Sequence, residues 1–168
     1  GVDANGRAIE CGAKINVGVD RRTGAVCTVR IRARGPEDEC QVQTMAQLTE
    51  NIGHHGLVLQ ADPDGAMGAF TTRVCELRSK PALMRASPKV SKGSQGVVEA
   101  TQWSLEELLR TMIIDHHSRT GDWLKPGDRL VDWIVRRIGW VLTRWPCRAD
   151  GTTARLSYPS DAPHAADG

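Results

Sequence analysis

Between Ile15 and Arg34, apolar and polar residues alternate on both sides of Asp20-Arg21-Arg22-Thr23-Gly24. That period of two fits a β-hairpin closed at the glycine and not a helix. The second arm sets Val29 and Ile31 in step and Arg30, Arg32 and Arg34 one residue out of step, which predicts a strand with one charged face. Gly35-Pro36 ends it. From Glu39 to Ile52 the period changes: Val42, Met45, Leu48 and Ile52 recur at three and four, the spacing of one helix face, and Gly53 closes that helix. Residues 56–62 read as a short buried strand running into Asp62-Pro63-Asp64-Gly65. Met67, Phe70, Val74 and Leu77 mark a second helix, and residues 82–86 a further extended piece. Residues 87–96 read as a loose Gly/Ser loop. A long helix follows with Val98, Leu105, Leu108, Leu109, Met112 and Ile113 as its buried stripe. A last helix near 129–145 buries Leu130, Ile134, Ile138, Val141 and Leu142, with Asp132 and Arg136 spaced for an i,i+4 pair. Strands alternating with helices describe a mixed sheet with helices on its faces.

At 168 residues the chain has the length of one domain. Its 40% of apolar residues can bury a core, and no run reaches the roughly 18 consecutive apolar residues of a membrane span. Cys11, Cys27, Cys40, Cys75 and Cys147 are odd in number and form no C-x-x-C pair. That argues against zinc and disulfide scaffolds and for a reducing, intracellular compartment. The chain begins at Gly1 without a leader and reads as a piece of a longer polypeptide. The net charge of +2 hides a strong asymmetry: residues 36–77 hold one base against seven acids, while the other segments are basic.

Asp62 ends an apolar strand, where open α/β sheets present side chains to ligands; a plain turn role, helped by Pro63 and Gly65, is the alternative. Downstream, Arg78, Lys80, Arg85, Lys89 and Lys92 run without an acid to Glu99, which is expected in the first turn of the long helix. A glutamate there can simply favour the helix dipole. A strand-end aspartate, a helix-start glutamate and cations between them are also what two-metal phosphoryl transfer needs, since hard cations take carboxylates and phosphates take cations.

The run Leu57-Val58-Leu59-Gln60-Ala61-Asp62-Pro63-Asp64-Gly65-Ala66, with Ser91-x-x-Ser94-Gln95-Gly96-Val97-Val98-Glu99 after it, resembles the catalytic core of retroviral and LTR-retrotransposon integrases. The 36 residues between Asp62 and Glu99 suit that family's acidic spacing. Trp133, Arg144 and Asp150-Gly151-Thr152-Thr153 are similar to the end of the core in retrotransposon Pol polyproteins. The resemblance covers roughly residues 3–153. It implies a ribonuclease-H-like α/β fold: a five-stranded mixed sheet flanked by helices, its first strand truncated, over residues 1–155; the composition of 156–168, rich in Pro, Ala and Asp, predicts a disordered tail.

The resemblance further implies DNA integration by two-metal polynucleotidyl transfer. Asp3, Asp62 and Glu99 would be the catalytic and metal residues holding Mg²⁺ or Mn²⁺, and Lys89 and Lys92 would touch DNA phosphates. The partners would be double-stranded DNA, both element ends and target, and further copies of the chain in a homo-oligomer. The location would be nuclear if the parent element is eukaryotic. Asp3 is the first acid by its place before the hairpin; Asp20, or neither, stays open. Asp64 is a second carboxylate near the site, or a turn former. The chain departs from the family at Gln95, Ala100, Trp103 and Glu106, and Glu106 would repel phosphate. A decayed or domesticated nucleic-acid-binding module without catalysis is therefore the alternative, followed by a single-strand or hybrid nuclease. Five of the seven aromatics are tryptophans: Trp103, Trp123, Trp133, Trp140 and Trp145. A base-stacking surface is one use for them; core or dimer contacts are the other for Trp133 and Trp140.

Overall fold

The computed structural model describes residues 13–33, 35–61, 64–86, 92–147 and 149–158, with the side chains of 92–95 left aside. The elements are β1 (Lys14–Val19), β2 (Val26–Ile31), α1 (Glu39–Asn51), β3 (Leu57–Ala61), α2 (Gly65–Leu77), β4 (Ala82–Ala86), α3 (Lys92–Thr120) and α4 (Arg129–Arg144), then a short 3₁₀ turn, Arg155–Ser157. The order of strands and helices is the one the periodicity predicts.

β1 and β2 form an antiparallel hairpin in which Ile15 faces Arg30, Val17 faces Thr28 and Val19 faces Val26. Gly24, at φ 72°, closes its turn. The hairpin is covered on both faces. Cys27 and Val29 join Val42, Met45, Phe70 and Val74 in a cluster beneath α1 and α2, and Tyr158 packs against its edge. On the other face, Ala13, Ile15 and Val17 meet Leu105, Leu109, Ile113, Val131, Ile134, Val135 and Ile138 of α3 and α4. β3 and β4 pair in parallel, joined through α2, with Leu57 opposite Ala82 and Ala61 opposite Ala86. No helix among the described residues is long and apolar enough to cross a membrane.

Four expectations are corrected. Among the described residues the strands make two separate pairs, not one five-stranded sheet: α1 and α2 bridge the pairs by packing on β2 and on β4, and no described strand joins β1 to β3. The Gly/Ser segment is partly helical, because α3 already begins at Lys92, which puts Glu99 in its third turn rather than its first. Gly93 and Gly96 each cost a helix about 1 kcal/mol. Propagation through a 29-residue helix, once nucleated and packed at Leu105, offsets that. Leu77 and Leu130 are exposed rather than buried; Val131 and Val135 take the inward positions on α4. Finally, Asp132 does not pair along its helix with Arg136. It reaches across to β2, where Arg30 Nη1 donates at 2.6 Å and Arg32 Nη2 at 2.7 Å.

That reach explains the charged face of β2. α4 lies on it, Thr28 Oγ1 donates to the Val135 carbonyl at 2.7 Å, and Asp132 neutralises the arginine at the end of the stripe. The approach is close enough to require glycine at 139, because a Cβ there would overlap Thr28 Oγ1 and stand 3.2 Å from its Cγ2. Gly139→Ala is expected to lower stability by about 1–3 kcal/mol, the usual cost of overpacking. The loss should appear as a lower denaturant midpoint and shrink when Thr28→Ala is combined with it.

Candidate active site

β3 is five residues long, and its two ends do different work. Its start is fastened by a buried polar chain. The Asp20 carboxylate accepts from Thr23 Oγ1, from the backbone N–H of Arg22 and Thr23, and lies 2.8 Å from Nε2 of buried His54. The His54 carbonyl accepts from buried Arg78 Nη2 at 3.3 Å, and Arg78 Nε lies 3.5 Å from Glu50. Glu50 in turn accepts from Ser79 N–H at 2.7 Å. Burial opposes ionisation of Asp20, but the donors from Thr23, His54 and Arg22 outweigh it and hold the carboxyl below its ordinary value. Asp20 thus serves as a structural anchor just before the start of β3. Nearby Cys27 is inert: burial, with help from the Asp20 charge, pushes its thiol up to about 12.

The far end of β3 leads to the candidate chemistry. Asp3, Asp62 and Lys89 lie outside the described residues; Lys92 opens α3, and only its backbone is described. Asp62 is bracketed by Ala61, the last residue of β3, and Asp64, whose side chain caps α2 by accepting from Ala66 N–H at 3.3 Å. Glu99 is exposed on α3. Residues three, seven and eleven positions on, Gln102, Glu106 and Arg110, share its helix face.

Those three residues line a cavity of about 620 Å³ together with Asp64 and Lys14, over an apolar floor that includes Ile15, Val17, Leu105 and Leu109. Asp64, the N-cap of α2, and three residues of the helix face that carries Glu99 therefore line one cavity, whereas Glu99 itself is not part of its lining. Gln102 Nε2 donates to Glu106 at 3.1 Å and fixes it there. Lys14 and Arg110 are the wall residues that sequence reasoning did not assign to a site, whereas Glu106 is the departure from the family pattern named above. The donors on offer are carboxylates, the kind a hard divalent cation takes. Among the described residues no group of three or more His, Cys, Asp or Glu residues is placed to hold a metal ion.

Asp150 Oδ1 accepts from the Thr152 N–H and Oγ1 at 2.9 and 2.7 Å, making a turn beside the Cys147–Thr153 bridge. Cys27, Cys40, Cys75 and Cys147 are all free thiols.

With this architecture in place, comparison with solved structures is informative. A chain of the simian T-cell lymphotropic virus intasome, determined in complex with PP2A regulatory subunit B56 gamma, superposes with a TM-score of 0.63 at 16% identity. The chain shares its fold with integrase catalytic cores. The match covers 90% of this chain and 50% of that one, so the chain spans about half the length of that relative. The catalytic core domain of BIV integrase superposes with a TM-score of 0.58 at 20% identity, covering 87% of this chain and 85% of that one. No protein-family model and no curated protein matches the sequence.

Because the folded Asp20 carboxyl is more acidic than its unfolded counterpart, its stabilisation is complete above about pH 4 and lost as pH falls through the folded value. Asp20→Asn is expected to cost about 1–3 kcal/mol at neutral pH. It should also flatten the acid limb of a stability–pH curve measured by urea denaturation.

Proposed function

We propose that the chain is the core of an integrase-type polynucleotidyl transferase that joins DNA ends to target DNA. One observation carries this reading: Gln102, Glu106 and Arg110, on the Glu99 face of α3, line the same cavity as Asp64, two residues beyond Asp62 in sequence, within a fold shared with integrase cores. In this reading Asp3, Asp62 and Glu99 hold Mg²⁺ or Mn²⁺. Such a pair, when bound, supplies Lewis-acid chemistry, sharpening a hydroxyl nucleophile and easing departure of the leaving oxygen.

The chain's own residues do the rest. Lys89 and Lys92 draw the phosphodiester backbone toward Glu99 without reading sequence. Arg110 and Lys14 balance Glu106 at the cavity wall, and Gln102 holds Glu106 in place. The apolar floor lowers the local dielectric, which strengthens every charge contact above it. Double-stranded DNA is the partner, further copies of the chain complete the assembly, and a nuclear location follows for a eukaryotic element. A non-catalytic module on the same fold is the second reading, favoured by the carboxylate that Glu106 sets where phosphate would pass.

Titration with Mn²⁺ or Mg²⁺ is expected to raise the melting temperature, by about 2.7 kcal/mol of stabilisation at a hundredfold excess over Kd. The ion should also permit nicking of supercoiled DNA. Asp62→Asn and Glu99→Gln should each remove both responses. A wild-type chain that neither shifts nor nicks leaves the non-catalytic module standing.

A further inference from the structure

The larger cavity carries two cations that its own walls leave without an ion pair. Along α3 the apolar and polar parts of the lining run side by side: Leu105 and Leu109 are buried, and the residue after each, Glu106 and Arg110, belongs to the polar wall. Glu106 and Arg110 are four apart, in the order that favours an ion pair along a helix. They form none. Glu106 is held instead by Gln102 Nε2 at 3.1 Å, and among the described residues neither Arg110 nor Lys14 has a carboxylate within ion-pair distance. The floor between them is apolar, with Ile15, Val17 and Met67 half-buried in it.

A ligand that matches this lining supplies three things at once: an anion for Lys14 and Arg110, an apolar body for the floor, and an N–H donor for the fixed carboxylate. The volume, about 620 Å³, is that of a pocket that takes a whole small molecule. Inorganic phosphate lacks the body, and a fatty acid lacks the donor. A nucleotide whose base bears an amino group has all three. Its base offers an open ring face once it leaves the stack. A carboxylate accepts from the amino group of cytosine, whereas thymine sets a carbonyl oxygen in that group's place. The carboxylate that opposes a passing phosphate is therefore suited to a base edge.

We infer that this cavity takes one nucleotide lifted out of the DNA, with its base over the floor at Ile15 and Val17, its amino group on Glu106 and its flanking phosphates on Lys14 and Arg110. The inference rests on the reading of the chain as a DNA-joining core and adds the form in which the DNA is presented, an end with an unpaired, amino-bearing base. Glu106 chooses the base. Gln102 is a positioning residue, since it acts through Glu106.

The test is fluorescence anisotropy in EDTA, which separates it from the metal-dependent reaction proposed above. The probes are a short labelled duplex with one unpaired terminal cytosine, the same duplex with thymine there, and the blunt duplex. The wild-type chain is expected to bind the cytosine end about five- to 150-fold more tightly than the thymine end, the range of one base-reading contact. Glu106→Ala should make the two ends equal, and Glu106→Gln, whose amide oxygen still accepts, should keep part of the preference. Lys14→Gln should lower the slope of log affinity against log salt by about 0.7 to 0.9 and leave the preference in place. Melting curves should match wild type, since Glu106 and Lys14 are exposed. No binding to either end, equal affinity for the two, a cytosine preference that survives Glu106→Ala, or a blunt duplex bound as tightly as the cytosine end would each overturn the inference. A Glu106-dependent preference in a chain that never nicks DNA would leave the nucleotide pocket standing and remove only the catalytic reading. Metal-dependent nicking without the preference would do the reverse.

Discussion

The arrangement depends on the buried polar chain that runs from Asp20 through His54 to Arg78 and Glu50. Four segments distant in sequence meet there: the hairpin turn, the end of α1, the entry to β3 and the exit from α2. Burying charges is unfavourable unless each is paired and hydrogen-bonded. Asp20 meets that condition through three donors of its own turn and His54. The anchor thereby ties the entry to β3 to the hairpin turn, to α1 and to the exit from α2. The anchor itself performs no chemistry.

A second constraint sets the layers. A strand with arginines on one face would ordinarily keep that face in water, yet β2 is sandwiched. Asp132 supplies the compensating charge, Thr28 gives its hydroxyl to α4, and Gly139 lets the backbones approach. One consequence lies on the opposite side of α4: with its acid directed inward, the helix shows arginines, tryptophans and Leu130 outward and no carboxylate. Packing on one face thus shapes the electrostatics of the other.

The cavity at the far end of β3 is electrically mixed. Asp64 and Glu106 line it together with Lys14 and Arg110. A carboxylate at 106 works against a polyanion unless cations nearby outweigh it, and Arg110, one turn along, is placed to do so. The departure from the integrase pattern at Glu106 therefore lies on the wall of this cavity.

Local patterns in the sequence determined the elements. The Asp20–Gly24 turn, the period of two around it, the three-four spacing of α1 and α2 and the apolar run at β3 are all short-range signals, because backbone geometry repeats within a few residues. Two local readings failed where longer-range packing prevailed: the start of α3, where a long packed helix tolerates two glycines, and the partner of Asp132, where an arginine pair over 100 residues away outcompetes the i,i+4 neighbour. Asp20 looked like a candidate acid from its strand end; only the approach of His54 shows it to be an anchor. Likewise the separation of the two strand pairs, the meeting of Asp64 with Glu106 and the grouping of arginines around Trp140 belong to tertiary structure alone. Each depends on which faces of distant elements are pressed together, and a linear pattern records the faces without recording the pairing.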